Sequence, residues 1–467
     1  MKLPLLKGTR ADANAEWRDA LPVNMVGFLQ EIAGSPGYLR TADGLKLFGS
    51  GFGADRGGWW SDRFNKHYRV SGNQFVEVSQ FGTVTDLGAP TTIPGSDQVT
   101  FDNSFNSVMF VADGDYYRWD GSTLTTPTKP VGSGDFIDGT WIDGYYIFAD
   151  TENLWNTTLA DESVFNSNER AGSDFAPDGI KGVDKTTDNK LIVFNRYTTE
   201  RFYNNAGAQF PFARIPNAAI PIGIVGTHAK ARIGDGAWIV FGGSKEYSPS
   251  FYLLTNSYDN ISTKEIDAII DTYSDYELTT MVIEFRDTRD QSLAICHLPR
   301  NTLVYDLTLS RKTGSPVWYE WTSGETPYRA INGVYDPRNV DDSASGWIYG
   351  DSIDETIGKL DTTVCTQYGE LVEWKCFTPL ARIGGTIKEM EVLTAPGHGP
   401  DDNPRVFIST THDGVLFGPE VMISQGRPGQ YNKRLIARRL GDYPNLFGLK
   451  IRGFSQTITN LSGCEIR

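Results

Sequence analysis

One pattern governs what this chain can fold into: a short apolar strand, a tight polar turn and a second strand rich in aromatics, repeated along residues 60–360. The first unit runs His67-Tyr68-Arg69-Val70, Ser71-Gly72-Asn73, Phe75-Val76-Glu77-Val78. The second runs Val108-Met109-Phe110-Val111, Asp113-Gly114-Asp115, Tyr116-Tyr117-Arg118-Trp119. A third begins at Tyr145-Tyr146-Ile147-Phe148, and others begin near Leu191, Trp238, Leu293 and Trp347. Counted from Tyr68, the unit starts lie 40, 37, 46, 47, 55 and 54 residues apart. Propeller blades recur at roughly 40–50 residues. A single hairpin cannot bury its aromatic face, so such units must stack, and a closed ring leaves only short edges.

The expected architecture is therefore mainly β: a β-propeller-like ring of about six to seven blades, an extended N-terminal arm and a C-terminal antiparallel β-sandwich. Residues 1–50 read as the arm, punctuated by Pro4, Pro22 and Pro36 with Gly34, Gly37 and Gly44. Residues 51–365 read as the ring. One inserted helix near 262–273 is signalled by Ser262-Thr263-Lys264-Glu265, a capping box, with Ile266, Ile269, Ile270 and Tyr273 on one face. Residues 366–467 read as the sandwich, with strands at Lys388 to Leu393, Arg405 to Ile408 and Leu449 to Arg452, and a hairpin turn at His412-Asp413-Gly414.

At 467 residues the chain is too long for one ordinary core unless that core is a closed repeat. With 11 Trp, 21 Tyr and 25 Phe it has ample material for burial, so disorder is not expected. Net charge is −15, with no dominant basic stripe, which disfavours groove binding of nucleic acid. An acidic surface suits a conduit that repels phosphates. Cys296, Cys365, Cys376 and Cys464 form no CxxC pair and fit a reducing compartment. No segment approaches the roughly 20 apolar residues of a membrane span, and the start lacks a signal-peptide core.

Catalytic signals are weak. His67, His228, His297, His398 and His412 show no ligand or triad spacing. Gly49-Ser50-Gly51-Phe52-Gly53 lacks the helix start that a phosphate cradle needs and reads as a flexible loop. Asp336, Asp341 and Asp342 crowd one loop without EF-hand spacing and read as a solvated acidic loop. Neither a cofactor nor a metal is expected. Lys433, Arg434, Arg438 and Arg439 form a basic cluster in an acidic chain. They are the candidate partner contacts, able to grip a neighbour's carboxylates, or else one solvated face of a strand. Lys185 reads as an inert lysine in a polar loop.

A set of ordered motifs spans the chain: Leu21-Pro22-Val23-Asn24-Met25, Gly37-Tyr38-Leu39-Arg40, Pro177-Asp178-Gly179-Ile180, Leu298-Pro299-Arg300, Leu303-Val304-Tyr305-Asp306, Gly358-Lys359-Leu360-Asp361 and Gln367-Tyr368-Gly369. Phe377-Thr378-Pro379-Leu380, Tyr431-Asn432-Lys433-Arg434 and Leu461-Ser462-Gly463-Cys464-Glu465-Ile466-Arg467 complete it. Together they resemble the packaged-DNA stabilisation protein, or tail hub, of short-tailed phages that infect enteric bacteria. Between 41 and 170 the early units rest on pattern alone. The resemblance implies a non-enzymatic virion protein of the tail, assembled in the host cytoplasm. It implies a homohexamer below the portal-adaptor protein, contacts with tailspike and tail needle, and DNA held in and later passed through the channel without sequence-specific binding. The alternative is a propeller-fold glycan-binding or glycan-cleaving tail protein, using Trp59 and Trp60 as platforms or carboxylates such as Asp351 and Glu355.

Overall fold

The computed structural model describes residues 2–3, 21–30 and 37–466, apart from 90, 160, 208, 235, 342, 343, 383 and 402. Of the positions read above, 1, 4–20, 31–36, 342 and 467 lie outside the described residues.

Each unit start from Tyr68 to Trp347 falls in the second strand of an antiparallel sheet of four or five strands. The first sheet is Asp55–Ser61, Lys66–Ser71, Gln74–Val78 and Val84–Asp86. Five more follow in chain order, with innermost strands Thr100–Asn103, Asp138–Ile142, Ile180–Lys185, Lys230–Gly234 and Val282–Asp287. The seventh consists of Ala330–Val340, Ala344–Asp351, Thr356–Asp361 and, as its outermost strand, Gly44–Ser50. The repeat visible in the sequence is thus the central hairpin of each sheet. Where its turn is Asp113-Gly114, both residues take positive φ, 48° and 81°, as the twist of a two-residue hairpin demands.

Apolar residues on both faces of the central strands fill the wedges between neighbouring sheets. Tyr68, Phe75, Phe101 and Phe110 join the first sheet to the second. Met109, Val111 and Tyr116 meet Phe136, Phe148 and Trp155, and Ile147 and Leu154 meet Val183, Leu191 and Val193. Further clusters carry the packing through the sixth and seventh sheets. Strand Ala330–Val340 then packs on Asp55–Ser61, so the ring closes as a β-propeller.

Residues 22–30 and 37–50 depart from the expected arm. Val23, Met25, Val26, Leu39 and Leu45 are buried. Strands Met25–Phe28 and Tyr38–Thr41 enter a sandwich sheet, and Gly44–Ser50 completes the propeller. Pro22 and Gly37 lead into short paired strands and Gly44 opens the closing strand, so the described part of this stretch is not an unpaired tail. Gly49 belongs to the closing strand: a Cβ there would lie 2.3 Å from the Gly82 carbonyl oxygen, so the glycines of 49–53 serve close packing rather than loop flexibility.

The sandwich pairs a six-stranded sheet, built on Gly385–Thr394, Leu435–Tyr443 and Asn460–Ile466, with a five-stranded one built on Arg405–Thr411 and Leu446–Gly453. Lys2–Leu3 adds to the first of these beside the chain's last strand. The helix Lys264–Ile270 buries Ile266 and Ile270. Its N-cap is Thr263, with no side-chain cap bond, and the Ser262 hydroxyl donates to Asp267 at 2.6 Å. The reciprocal capping box lies one helix later, at Ser274 and Glu277.

Candidate assembly surface and the ring axis

The innermost strand of each sheet presents an unpaired backbone edge to the ring axis, and buried donors there need acceptors. Carboxylates supply them, each reaching forward to a later sheet. Asp102 accepts from the Trp141 amide at 2.7 Å, Thr140 Oγ1 at 2.9 Å and Lys185 Nζ at 2.6 Å. Asp138 accepts from the Val183 amide at 2.8 Å and pairs with Lys230 at 2.8 Å. Asp184 accepts from the Trp238 indole at 2.7 Å, and Glu284 from the Gly333 amide at 2.7 Å. Lys185 of the fourth sheet reaches the second, and Lys230 of the fifth reaches the third. Only side chains near the axis can make such links. Lys185 is accordingly not an inert loop lysine but a strut, also bonded to the Trp141 carbonyl at 2.7 Å.

The seam between the seventh and first sheets is charged. Arg69, fully buried, holds both oxygens of Asp55 at 2.6 and 2.9 Å and the Asn332 carbonyl at 2.8 Å. Asn332 in turn donates to Asp55 at 2.9 Å and to Gln98 at 2.8 Å. Beside them His67 lies 3.8 Å from Asp336, which Arg338 grips at 2.8 Å. Burial pushes His67 down to about 4, against the pull of Asp336. Burial alone would raise Asp336, but the nearby His67 ring and the side-chain and backbone hydrogen bonds from Arg338 hold it well below the usual carboxylate range. Asp336 is therefore a buried seam residue and not part of a solvated acidic loop, while Asp341 is exposed and pairs with Lys359.

The other chemical candidates are occupied separately. His297 pairs with Glu284, His398 packs on Tyr431 and His412 on Tyr443. Asp351 is buried against Arg329, and Glu355 is exposed. Trp59 and Trp60 donate their indole protons to Asn103 and Asp62, and Trp60 lies under Arg338. Among the described residues no group of three His, Cys, Asp or Glu could hold a metal ion.

Strand Leu435–Tyr443 forms one edge of the six-stranded sheet, and the basic cluster lies on and just before it. All four side chains are exposed. Arg434 makes a two-pronged pair with Glu391, one bond at 2.8 Å, and Arg438 meets Glu389 at 3.2 Å. Arg439 has φ of 58° where the register against the neighbouring strand shifts, which turns two consecutive arginines outward. Among the described residues, Lys433 and Arg439 have no carboxylate within ion-pair distance.

Lys185 and Lys230 bridge the propeller axis, and N-terminal strands complete both the seventh propeller sheet and a sandwich sheet, so the polar chemistry described above holds the chain's own sheets together. Residues 1–365 match the family described as bacteriophage P22 Gp10, beta-propeller, and residues 373–467 match bacteriophage P22 Gp10, beta-sandwich. The tail hub protein gp10 of Salmonella phage P22 is 31% identical over 490 aligned positions, covering 100% of this chain and 99% of that protein. The chain belongs to this P22 Gp10 family of phage tail hubs. It is a structural component of the virion tail and not an enzyme. Among solved structures, virginiamycin B lyase from Staphylococcus aureus matches with TM-score 0.43 and 13% identity over 66% of this chain and 94% of that one. The extracellular domain of a one-component system from B. thetaiotaomicron matches with TM-score 0.42 and 9% identity over 85% of this chain and 47% of that one. At these scores neither bears on what this chain does.

Proposed function

We propose that this chain is the hub that docks below the portal-adaptor complex, closes the channel, retains packaged DNA, and seats tailspikes and tail needle. The observation that carries this reading is full-length similarity to the P22 tail hub, with both domain families matched in order. The hub is a sixfold ring of this chain, each copy contributing one seven-bladed propeller and one sandwich. Because side chains bridge the propeller axis, DNA passes between copies and not through any one of them. A net charge of −15 then favours a wall that repels phosphate and lets DNA slide.

A closed ring repeats one heterologous contact. We assign part of that contact, or of the contact with the adaptor, to Lys433 and Arg439, with Arg434 and Arg438 as supports already neutralised by Glu391 and Glu389. Large permanent assemblies bury roughly 2,000–5,000 Å² per interface. Native mass measurement of assembled tails should return six copies; a trimer or a twelvefold ring would overturn the sixfold reading.

A further inference from the structure

The outward face of the five-stranded sandwich sheet breaks the usual division of an antiparallel sheet into an apolar inside and a polar outside. Cys376, Ile408, Ile423 and Ile451 fill the core side. On the other side the register sets Lys375, Arg452, Phe407 and Met422 in one row across strands Trp374–Phe377, Leu446–Gly453, Arg405–Thr411 and Val421–Ser424. Lys450 stands opposite Phe377 in the next row. Met422 is 53% exposed, and Phe454, 45% exposed, stacks on Phe407 at 5.6 Å.

These apolar groups are already fixed in place. The Arg452 guanidinium lies over the Phe407 ring at 4.7 Å, and Lys450 Nζ over the Phe417 ring at 5.1 Å. Glu420 and Glu373 accept from Arg452 at 2.7 and 3.0 Å and hold it there. Arg405 reaches the Met422 sulfur at 3.5 Å. Aromatic, Met and Arg side chains are the ones enriched at the buried centre of protein interfaces. Side chains ordered beforehand lose little further freedom on docking.

Charge indicates what covers this face. It carries Lys375, Arg405, Lys450 and Arg452 against Glu373 and Glu420. Of the chain's 43 Lys and Arg and 58 Asp and Glu, residues 366–467 hold 12 and 10, which leaves 31 against 48 for residues 1–365. The negative charge thus resides in the part that builds the propeller. Two sandwich faces would meet with like charge, whereas the propeller of a second copy offers the opposite sign. A contact between unlike patches of the same chain is also what a closed cyclic ring repeats.

We propose that the outer face of the five-stranded sheet docks on the propeller of the next copy, an inference that rests on the ring reading above.

The test uses tails assembled from a mixture of light and heavy-nitrogen chains, treated with a carbodiimide that joins a lysine amine to a carboxylate in contact with it. Mixed-isotope peptides should join Lys375 or Lys450 to Asp or Glu residues within 51–365. Links from these lysines only within one chain, or only to a different tail protein, overturn the proposal. Native mass keeps the two readings apart. A copy number other than six removes the sixfold ring, whereas six copies without the mixed links remove this face alone. Met422→Glu would set a carboxylate against the acidic neighbour. It should lower incorporation into tails by about tenfold or more at an unchanged melting temperature, while Met422→Leu incorporates normally. Wild-type incorporation of Met422→Glu overturns the proposal, and the links in wild-type tails decide the matter even if that variant fails to fold.

Discussion

The wedge between the second and third sheets and the wedge between the seventh and first occupy equivalent places in one ring, yet they are built from different materials. The former is a stack of rings: Tyr116 lies 4.5 Å from Phe148, and Phe136 lies 4.9 Å from the same side chain. The latter has only a small apolar patch of Val78, Ile348 and Ile357, and rests on Asp55–Arg69–Asn332 and His67–Asp336–Arg338. Consecutive sheets are delivered to each other by short connections, so burial carries most of their hold, with Asp102 adding directional bonds to Thr140 and the Trp141 amide near the axis. The closing sheets come from opposite ends of the propeller and must find one register. The pairs Asp55–Arg69 and Asp336–Arg338 each lie within one sheet; what crosses the seam is Arg69 to the Asn332 carbonyl, Asn332 to Asp55 and Arg338 to the Val78 carbonyl, directional bonds that any other register would leave unmade.

This contrast can be broken at the ionic seam first. Arg69→Met should cost about 3–5 kcal/mol, since Asp55 stays buried without its partner. The double variant Arg69→Met, Asp55→Asn should recover a good part of that loss. Thermal melting checks both, and equal melting temperatures for single and double variants would show that the pair is not coupled.

Acid probes the same seam next. His67 is neutral in the fold, with its pKa lowered to about 4, and protonates near 6.5 when unfolded. Its contribution is therefore complete above pH 6.5 and fades as pH falls toward 4, by about 3 kcal/mol. Asp306 works in the opposite sense. Burial raises it to about 6, so its contribution is complete below about 4 and is lost as pH rises through 6. It caps helix Leu307–Thr313 by accepting from the Leu309 amide at 2.7 Å, a task asparagine also performs. Asp306→Asn should hence keep the helix and steepen the loss of melting temperature between pH 6 and 4. An unchanged slope would remove Asp306 from the account.

At an apolar seam the effect should be smaller and insensitive to pH. Ile147→Val, between the third and fourth sheets, should cost about 1 kcal/mol at pH 5 and pH 7 alike. The smallest effect belongs to the exposed edge. Arg438→Ala with Arg439→Ala should change the melting temperature of the isolated chain by less than about 1 kcal/mol equivalent, while weakening attachment to adaptor-bearing capsids. Full retention of packaged DNA by that double variant would move the partner surface elsewhere. Lys185→Ala, at a position that reads as inert in the sequence, should by contrast disturb the ring, because it removes a strut to Asp102.

What could be read from the sequence follows the same division. The second and third strands of each sheet are buried on both faces, so they appear as apolar runs such as Val108 to Ala112. The innermost strands carry the seam chemistry, and Asp55-Arg56-Gly57-Gly58-Trp59 has no clean alternation to reveal it. The outermost strands are mostly short and exposed, as Val84–Asp86 is. Strands Met25–Phe28 and Tyr38–Thr41 hid because four residues between turns look like coil until their distant partners are known. The basic cluster was visible as composition. That Arg434 and Arg438 already face Glu391 and Glu389 was not, because those acids sit on a strand more than forty residues earlier.

The closing strand has a consequence for how the chain is made. Gly44 pairs with Asp361, so the seventh sheet cannot be completed until about three hundred more residues have been synthesised. Until then the nascent chain carries strand 44–50 without its mate and an open ring with two raw edges, the kind of species that aggregates or swaps strands between chains. Ring closure is also the contact of highest sequence separation in the propeller, and so the slowest to form. Assembly of the tail must wait for that late event, and a circular permutant that begins at residue 51 and carries strand 44–50 after residue 361 should no longer leave that strand unpaired, with only the packing of Ala330–Val340 on Asp55–Ser61 still closing late.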